Sequence, residues 1–232
     1  MRKWFKRFSW LLLVLVGLAL IFHNQIAFYT LSKFQPTVTQ KSVAKGKEKQ
    51  GNYKWEKVQS LSAQQVLKAR MEAGKINFIG YVAIPEIGLN VPISNGVDNI
   101  NIALGAGTLK ENQVMGQGNY ALASHFIQGS SGRNILFSPL YYSGKVGQKI
   151  YLTDLKKVYE YKATVYKVID PHQVEVVDDV PGKRMITLVT CDYTAEAGRV
   201  LMQGTLEKEM NFKDTPKSVL NKLVMDDNRW VK

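Results

Sequence analysis

The chain has 232 residues, 45% of them hydrophobic and 22% charged, the length and composition of one ordinary globular domain with appendages. Its net charge is +12, yet no RNP-like, helix-turn-helix or zinc-finger pattern accompanies the basic excess. Nucleic acid is therefore set aside in favour of a surface facing anionic headgroups or wall polymers. The single cysteine, Cys191, excludes an intramolecular disulfide, and with only three histidines the chain cannot build a zinc cluster.

Arg2, Lys3, Lys6 and Arg7 are the only charges in the first 30 residues, and they precede an apolar run at 10–22. That run is short for a membrane span, which needs about 20 residues. His23, Asn24 and Gln25 interrupt it before Ile26, Ala27, Phe28 and Tyr29 continue, so a helix over 8–29 reaches the required length. No small-residue cleavage site follows, which favours an uncleaved anchor over a signal peptide. The basic flank predicts a cytoplasmic N-terminus and an outward-facing remainder, a single-pass protein of the cell membrane. Lys33, Lys41, Lys45, Lys47 and Lys49 then lie among polar residues, the composition of a solvated tether. The expected division is a basic tip and anchor at 1–31, an extracytoplasmic linker at 32–60 and a folded domain at 61–232.

That domain opens on a short helix. Ser62 with Gln65 three positions on predicts a capping box, Gly74 a stop, and Ala63, Val66, Leu67, Arg70 and Met71 a packing face. Strand-like runs punctuated by Gly and Pro follow at 79–84, 89–93, 119–124, 148–152 and 159–168. Two more begin near Met185 and at Arg199. Seven or eight short strands predict an all-β barrel or sandwich, with helical turns inserted at 99–108 and 136–143.

The chemistry centres on Thr187, Leu188, Val189, Thr190 and Cys191, an apolar, β-branched run ending in the lone thiol. If this strand and the one starting at Arg199 form an antiparallel hairpin around the loop 192–198, position 191 pairs with 199 and 189 with 201. Directly opposed residues share a sheet face, with Cβ atoms about 4.5–5.5 Å apart. Arg199 would then sit beside Cys191, where a guanidinium favours a thiolate and offers a donor to an oxyanion. On its own Cys191 could equally be a small buried hydrophobe, and Arg199 a partner of Asp192 or Glu196.

That pentapeptide, the Arg eight residues on and the earlier Ala123, Ser124 and His125 resemble the signature of the sortases, membrane-anchored cysteine transpeptidases of Gram-positive bacteria; the resemblance is to the class A type and covers roughly residues 75–208. It implies a closed eight-stranded β-barrel, with His125, Cys191 and Arg199 as the catalytic residues. It implies cleavage of an LPxTG-type sorting motif between Thr and Gly through a thioester. An amine of a peptidoglycan precursor, lipid II-like, would accept the surface protein. Val174, Val176 and Val177 fall in the family's recognition loop, and Ala123, Val189 and Thr190 are candidate groove walls whose other reading is barrel core. His172 is a fallback for the histidine. Some sortases bind calcium through acids before the catalytic-histidine strand; here Lys110, Gln113 and Gln117 stand at those positions and only Asp179 keeps its acid, so no metal and no cofactor is expected. Two other readings remain open. One is an L,D-transpeptidase or amidase-like enzyme of the wall, the other a non-catalytic anchored binding module.

Overall fold

A computed structural model describes residues 2–34, 36, 38–48, 50–54, 61–76, 78–191 and 198–223. Asp192 and Glu196, the alternative partners considered for Arg199, lie outside the described residues. The strands are β1 (Phe78–Ile84), β2 (Leu89–Ser94), β3 (Ala106–Thr108), β4 (Asn119–Ala123), β5 (Lys149–Thr153), β6 (Lys157–Ile169), β7 (Met185–Cys191) and β8 (Arg199–Asn211). They close into the expected barrel in the order β1-β2-β3-β4-β7-β8-β6-β5. Closure leaves no unpaired sheet edge to be covered.

The register explains where the chemistry falls. β4 and β7 are parallel neighbours, with Ala121 opposite Thr187 and Ala123 opposite Val189. Their C-terminal ends therefore meet at one end of the barrel, which brings the residues just after β4 next to Cys191. β7 and β8 are antiparallel, with Val189 opposite Leu201 and Cys191 opposite Arg199, the pairing inferred from the sequence. Along β7 the side chains alternate. Ile186 and Leu188 join the apolar core with Tyr120, Leu122, Val200 and Met202, all at most 1% exposed. Thr187, Val189 and Cys191 lie on the opposite face.

Short helices decorate the barrel. α5 (Asn99–Leu104) is capped by Asp98, whose carboxylate accepts the amides of Ile100 and Asn101 at 3.0 Å each. α6 (Ser138–Ser143) falls within the expected turn at 136–143. The other expected helical turn, at 99–108, is α5 followed by β3, a strand of three residues that is too short to show a period of its own. The capping box is present in α4 (Ala63–Glu72): the Ser62 hydroxyl accepts from the Gln65 backbone amide, and the Gln65 side-chain oxygen accepts from the Ser62 backbone amide. The packing face of α4 is rotated from the expected one. Val66 and Ala69 are buried while Leu67 and Met71 face outward; α4 packs against the helix His23–Ser32 and α5, and the exposed Arg70 guanidinium lies over the Phe34 ring, 4.7 Å from its centre. The helix ends at Glu72 with Ala73 as its cap, and Gly74 follows directly, inside a 3₁₀ turn over Ala73–Lys75.

The N-terminal segment is helical, as α1 (Arg2–Ile21) and α2 (His23–Ser32). No single helix among the described residues is long and apolar enough to cross a membrane; the two together pass by length and composition, with a 68° bend between them. The break sits at Phe22, where the His23 ring takes up the Leu20 carbonyl at 2.8 Å. Within the segment expected to be a solvated tether, α3 (Gln40–Glu48) is instead docked on β1. Val38 and Val43 are buried, the Gln40 amide donates to the Leu155 carbonyl at 2.9 Å, and Lys47 pairs with Asp154 at 2.9 Å. Two apolar side chains on a lysine-rich stretch supply the contact that composition alone conceals.

Candidate active site

On the face of β7 that carries Cys191, β4 contributes Asn119 at its start and then two alanines, Ala121 and Ala123, toward the thiol. Small side chains beside a strand of larger ones leave a depression, and the chain after β6 folds over it. The result is a cavity of about 260 Å³ at the barrel end where β4 and β7 finish. The expected catalytic residues His125, Cys191 and Arg199 and the expected groove residues Ala123, Val174, Val176, Val177, Val189 and Thr190 all line it. Ala123 and Val189 are half-buried on this wall and do not lie in the core. His172 does not reach the cavity. Its side chain is 95% exposed and pairs with Asp170 at 2.8 Å.

His125 is held by backbone bonds on both sides. The Ser124 amide donates to the Val189 carbonyl at 3.3 Å, continuing the β4–β7 ladder by one step, and the Phe137 amide donates to the His125 carbonyl at 3.2 Å. The Ser124 hydroxyl is tied to the Gly105 carbonyl at 2.6 Å, and the Thr190 hydroxyl donates to the Ser124 carbonyl at 2.9 Å. These bonds fix the backbone that carries the imidazole. His125 is 8% exposed, and burial pushes its pKa down from 6.5 to about 4, because the cation loses hydration. At neutral pH the ring is uncharged, ready to take a proton and, once charged, strongly disposed to give it back.

Arg199 is half-buried at the start of β8, between Cys191 on β7 and Ile169 on β6. One of its terminal nitrogens donates to the Gly198 carbonyl at 2.9 Å. A guanidinium carries five donors in a planar fork.

The opposite wall is a 3₁₀ turn, Val174–Val177, with Pro171 and Gln173 before it. At its far end the Asp179 carboxylate accepts from Lys110 at 2.5 Å and from the Asn119 backbone amide at 2.8 Å. These bonds, Lys110 first, hold the carboxyl below its ordinary pKa. Gln113 is committed to β4 through two bonds with the Ala121 backbone, 2.9 and 3.1 Å. Gly118 adopts φ +50, and a Cβ there would meet the Asp179 carboxylate at 2.7 Å. The Lys110 side chain already pairs with the Asp179 carboxylate, and a fixed positive charge in that position does not fit calcium.

Sequence reasoning missed Val97, Ile102, Leu109 and Ile169, which complete the apolar lining. Ile102 carried a signal in the apolar residues of its helical turn. Val97 carried none, since its place depends on its amide donating at 2.7 Å to the carbonyl of Asn52, far away in sequence.

A thiol, an uncharged buried imidazole and a guanidinium converging on an apolar cavity at the end of a closed barrel define a cysteine-based acyl-transfer enzyme. The sortase domain family profile matches residues 82–207. The chain is 41% identical over 220 residues to sortase A of Streptococcus agalactiae serotype III (strain NEM316), spanning 90% of this chain and 87% of that protein. It is 36% identical over 208 residues to sortase A of Listeria monocytogenes serovar 1/2a (strain ATCC BAA-679 / EGD-e), spanning 85% and 90%. The crystal structure of Listeria monocytogenes sortase A superposes with a TM-score of 0.57 at 38% identity, covering 63% of this chain and 96% of that one. The chain belongs to the sortase family and is a cysteine transpeptidase of the class A-like type. The readings as an L,D-transpeptidase, an amidase-like enzyme or a binding module are thereby set aside.

Proposed function

We propose that this transpeptidase cleaves a C-terminal sorting motif of the Leu-Pro-x-Thr-Gly type between Thr and Gly and joins the new carboxyl end to an amine of a lipid II-like wall precursor. The observation that carries this reading is the pairing of Cys191 with Arg199 in a cavity that also holds His125 and a wall of valines. Val174, Val176 and Val177 offer the apolar surface that a Leu-Pro pair would bury, with Val189, Ala123 and Thr190 as the floor beneath it.

The Cys191 sulfur attacks the Thr carbonyl carbon as the thiol proton passes to the uncharged His125 imidazole. The oxyanion takes hydrogen bonds from Arg199. When the C–N bond breaks, His125 returns its proton to the departing Gly amine, and a thioester remains. The incoming amine attacks that thioester and loses a proton to His125. The sulfur then leaves and recovers the proton as the new amide forms. Atoms and charges balance with no metal or cofactor. Exclusion of water by the apolar walls favours the amine over hydrolysis.

Residues 1–31 serve as basic tip and anchor, 32–60 as the connection and 61–232 as the catalytic domain on the extracellular face. The broad exposure of Leu11, Leu13, Leu15, Leu20 and Ile21 on α1 supports lipid contact for the anchor. The test is incubation of the full chain in detergent with a sorting-motif peptide and triglycine, read by mass spectrometry. A ligated product that needs both components supports the reading. Release of the Gly fragment with no ligation at any triglycine concentration would make the chain a hydrolase and overturn it.

A further inference from the structure

The valine wall opposite Cys191 is one short 3₁₀ turn, with too few internal bonds to hold its own shape. Its anchorage comes from three side chains that the proposed reaction does not use. Asn119, Thr187 and Gln203 stand on adjacent strands: Thr187 is opposite Gln203 across β7–β8 and opposite Ala121 across β4–β7, and Asn119 is two residues before Ala121 on the same face. All three therefore share the outward face with Val189 and Cys191, at the end of the groove away from the thiol.

Their hydrogen bonds form a closed relay. The Thr187 hydroxyl donates to the Asn119 carbonyl oxygen at 2.7 Å and accepts from the Gln203 amide at 3.1 Å. The Val176 carbonyl then receives two donors, the Asn119 amide at 3.0 Å and the Gln203 amide at 3.0 Å. The Asn119 amide also reaches the Asp178 carbonyl at 3.1 Å. Asn119 is 2% exposed and Thr187 is 0% exposed, so breaking one link would strand polar groups away from water. The Thr187 hydroxyl orients both amides at once, because it can donate to only one of them and must accept from the other. With both amides aimed at Val176, its carbonyl is pinned to the barrel and the flanking valines are held against the cavity.

We infer that Thr187, with Asn119 and Gln203, is a positioning centre that sets the shape of the Val174–Val177 wall and thereby the selectivity for the apolar start of the sorting motif. The inference rests on the reading of the cavity as the sorting-motif site. Thr187→Val keeps the volume and removes both hydroxyl bonds, Thr187→Ser keeps the hydroxyl, and Gln203→Met removes one donor at a half-buried site where folding is less at risk. In the full chain in detergent, Thr187→Val should raise KM for a Leu-Pro peptide by roughly five- to tenfold, the net scale of losing the hydroxyl's hydrogen bonds, with kcat within about twofold. Its preference for Leu-Pro over Ala-Pro peptides should narrow, Thr187→Ser should restore both, and Gln203→Met should shift them in the same direction. Alkylation of Cys191 by iodoacetamide should keep its wild-type rate, which general loosening of the fold would not allow. Unchanged KM and unchanged Leu/Ala selectivity in both Thr187→Val and Gln203→Met would overturn the inference while wild-type ligation left the functional reading intact. So would a fall in alkylation parallel to the fall in peptide turnover. A wild-type chain that ligates no sorting-motif peptide would overturn the functional reading and the inference with it.

Discussion

The two walls of the cavity are built by different means. The wall carrying His125, Cys191 and Arg199 is strand-borne, and its geometry follows from register: parallel β4–β7 places the histidine and the cysteine at one end, and antiparallel β7–β8 sets Arg199 opposite the thiol. The wall carrying Val174, Val176 and Val177 is a turn tied down by side chains and by the Lys110–Asp179 pair. Backbone ladders hold the proposed chemical groups rigidly, while discrete polar anchors leave the proposed recognition surface replaceable without disturbing the barrel. Substitutions on the first wall should therefore act on kcat, and substitutions behind the second on KM.

The largest effect belongs to Cys191→Ala. It should abolish both cleavage and transpeptidation and leave the thermal transition close to wild type, because the nucleophile goes with little change in volume. Residual turnover above contamination would show that the thiol is not the nucleophile. Arg199→Lys comes next and should cost roughly a hundredfold or more in kcat, since an ammonium cannot reproduce the planar fork that reaches two acceptors. His125→Ala should be at least as damaging. A near-normal rate in Arg199→Lys would reduce the arginine to a local counter-charge.

Legibility followed the same division. The 191–199 pairing could be read from two adjacent strand patterns and one loop, because hairpin register is local. His125 lies 66 residues from Cys191, and only the resemblance joined them. β3 was hidden because three residues cannot display a period. The exposed Leu67 and Met71 on α4 and the buried Val43 on α3 depended on what each helix meets, which lies outside its own pattern. The Asn119–Thr187–Gln203 relay was illegible for the same reason: amides and hydroxyls look alike in a sequence until strand pairing sets them face to face.

Smaller effects sharpen the contrast. The unfolded chain holds His125 at an ordinary pKa near 6.5 and the fold lowers it to about 4, so as pH falls the unfolded state takes up the proton first. The stability this group contributes is complete above about 6.5 and is lost as pH falls toward about 4, in total on the order of 3 kcal/mol. Denaturation of the wild type and of His125→Gln across that interval should diverge, with the variant showing the flatter profile; parallel curves would mean that the imidazole is not buried uncharged. The smallest effect concerns the Lys110–Asp179 corner. Transpeptidation rates with excess EDTA and with millimolar calcium should agree, because the lysine already supplies the positive charge beside Asp179. A several-fold rise with calcium would point to oxygen ligands other than these.

If the strand-borne wall acts as proposed, it forms a thioester at Cys191. The most direct measurement is rapid acid quench of the full chain mixed with a sorting-motif peptide in the absence of added amine, followed by digestion and mass mapping. One adduct is expected, the acyl fragment ending at Thr, on the peptide containing Cys191, removed by hydroxylamine and absent from Cys191→Ala. An adduct on another residue, or rapid product formation with no adduct at any quench time, would contradict it.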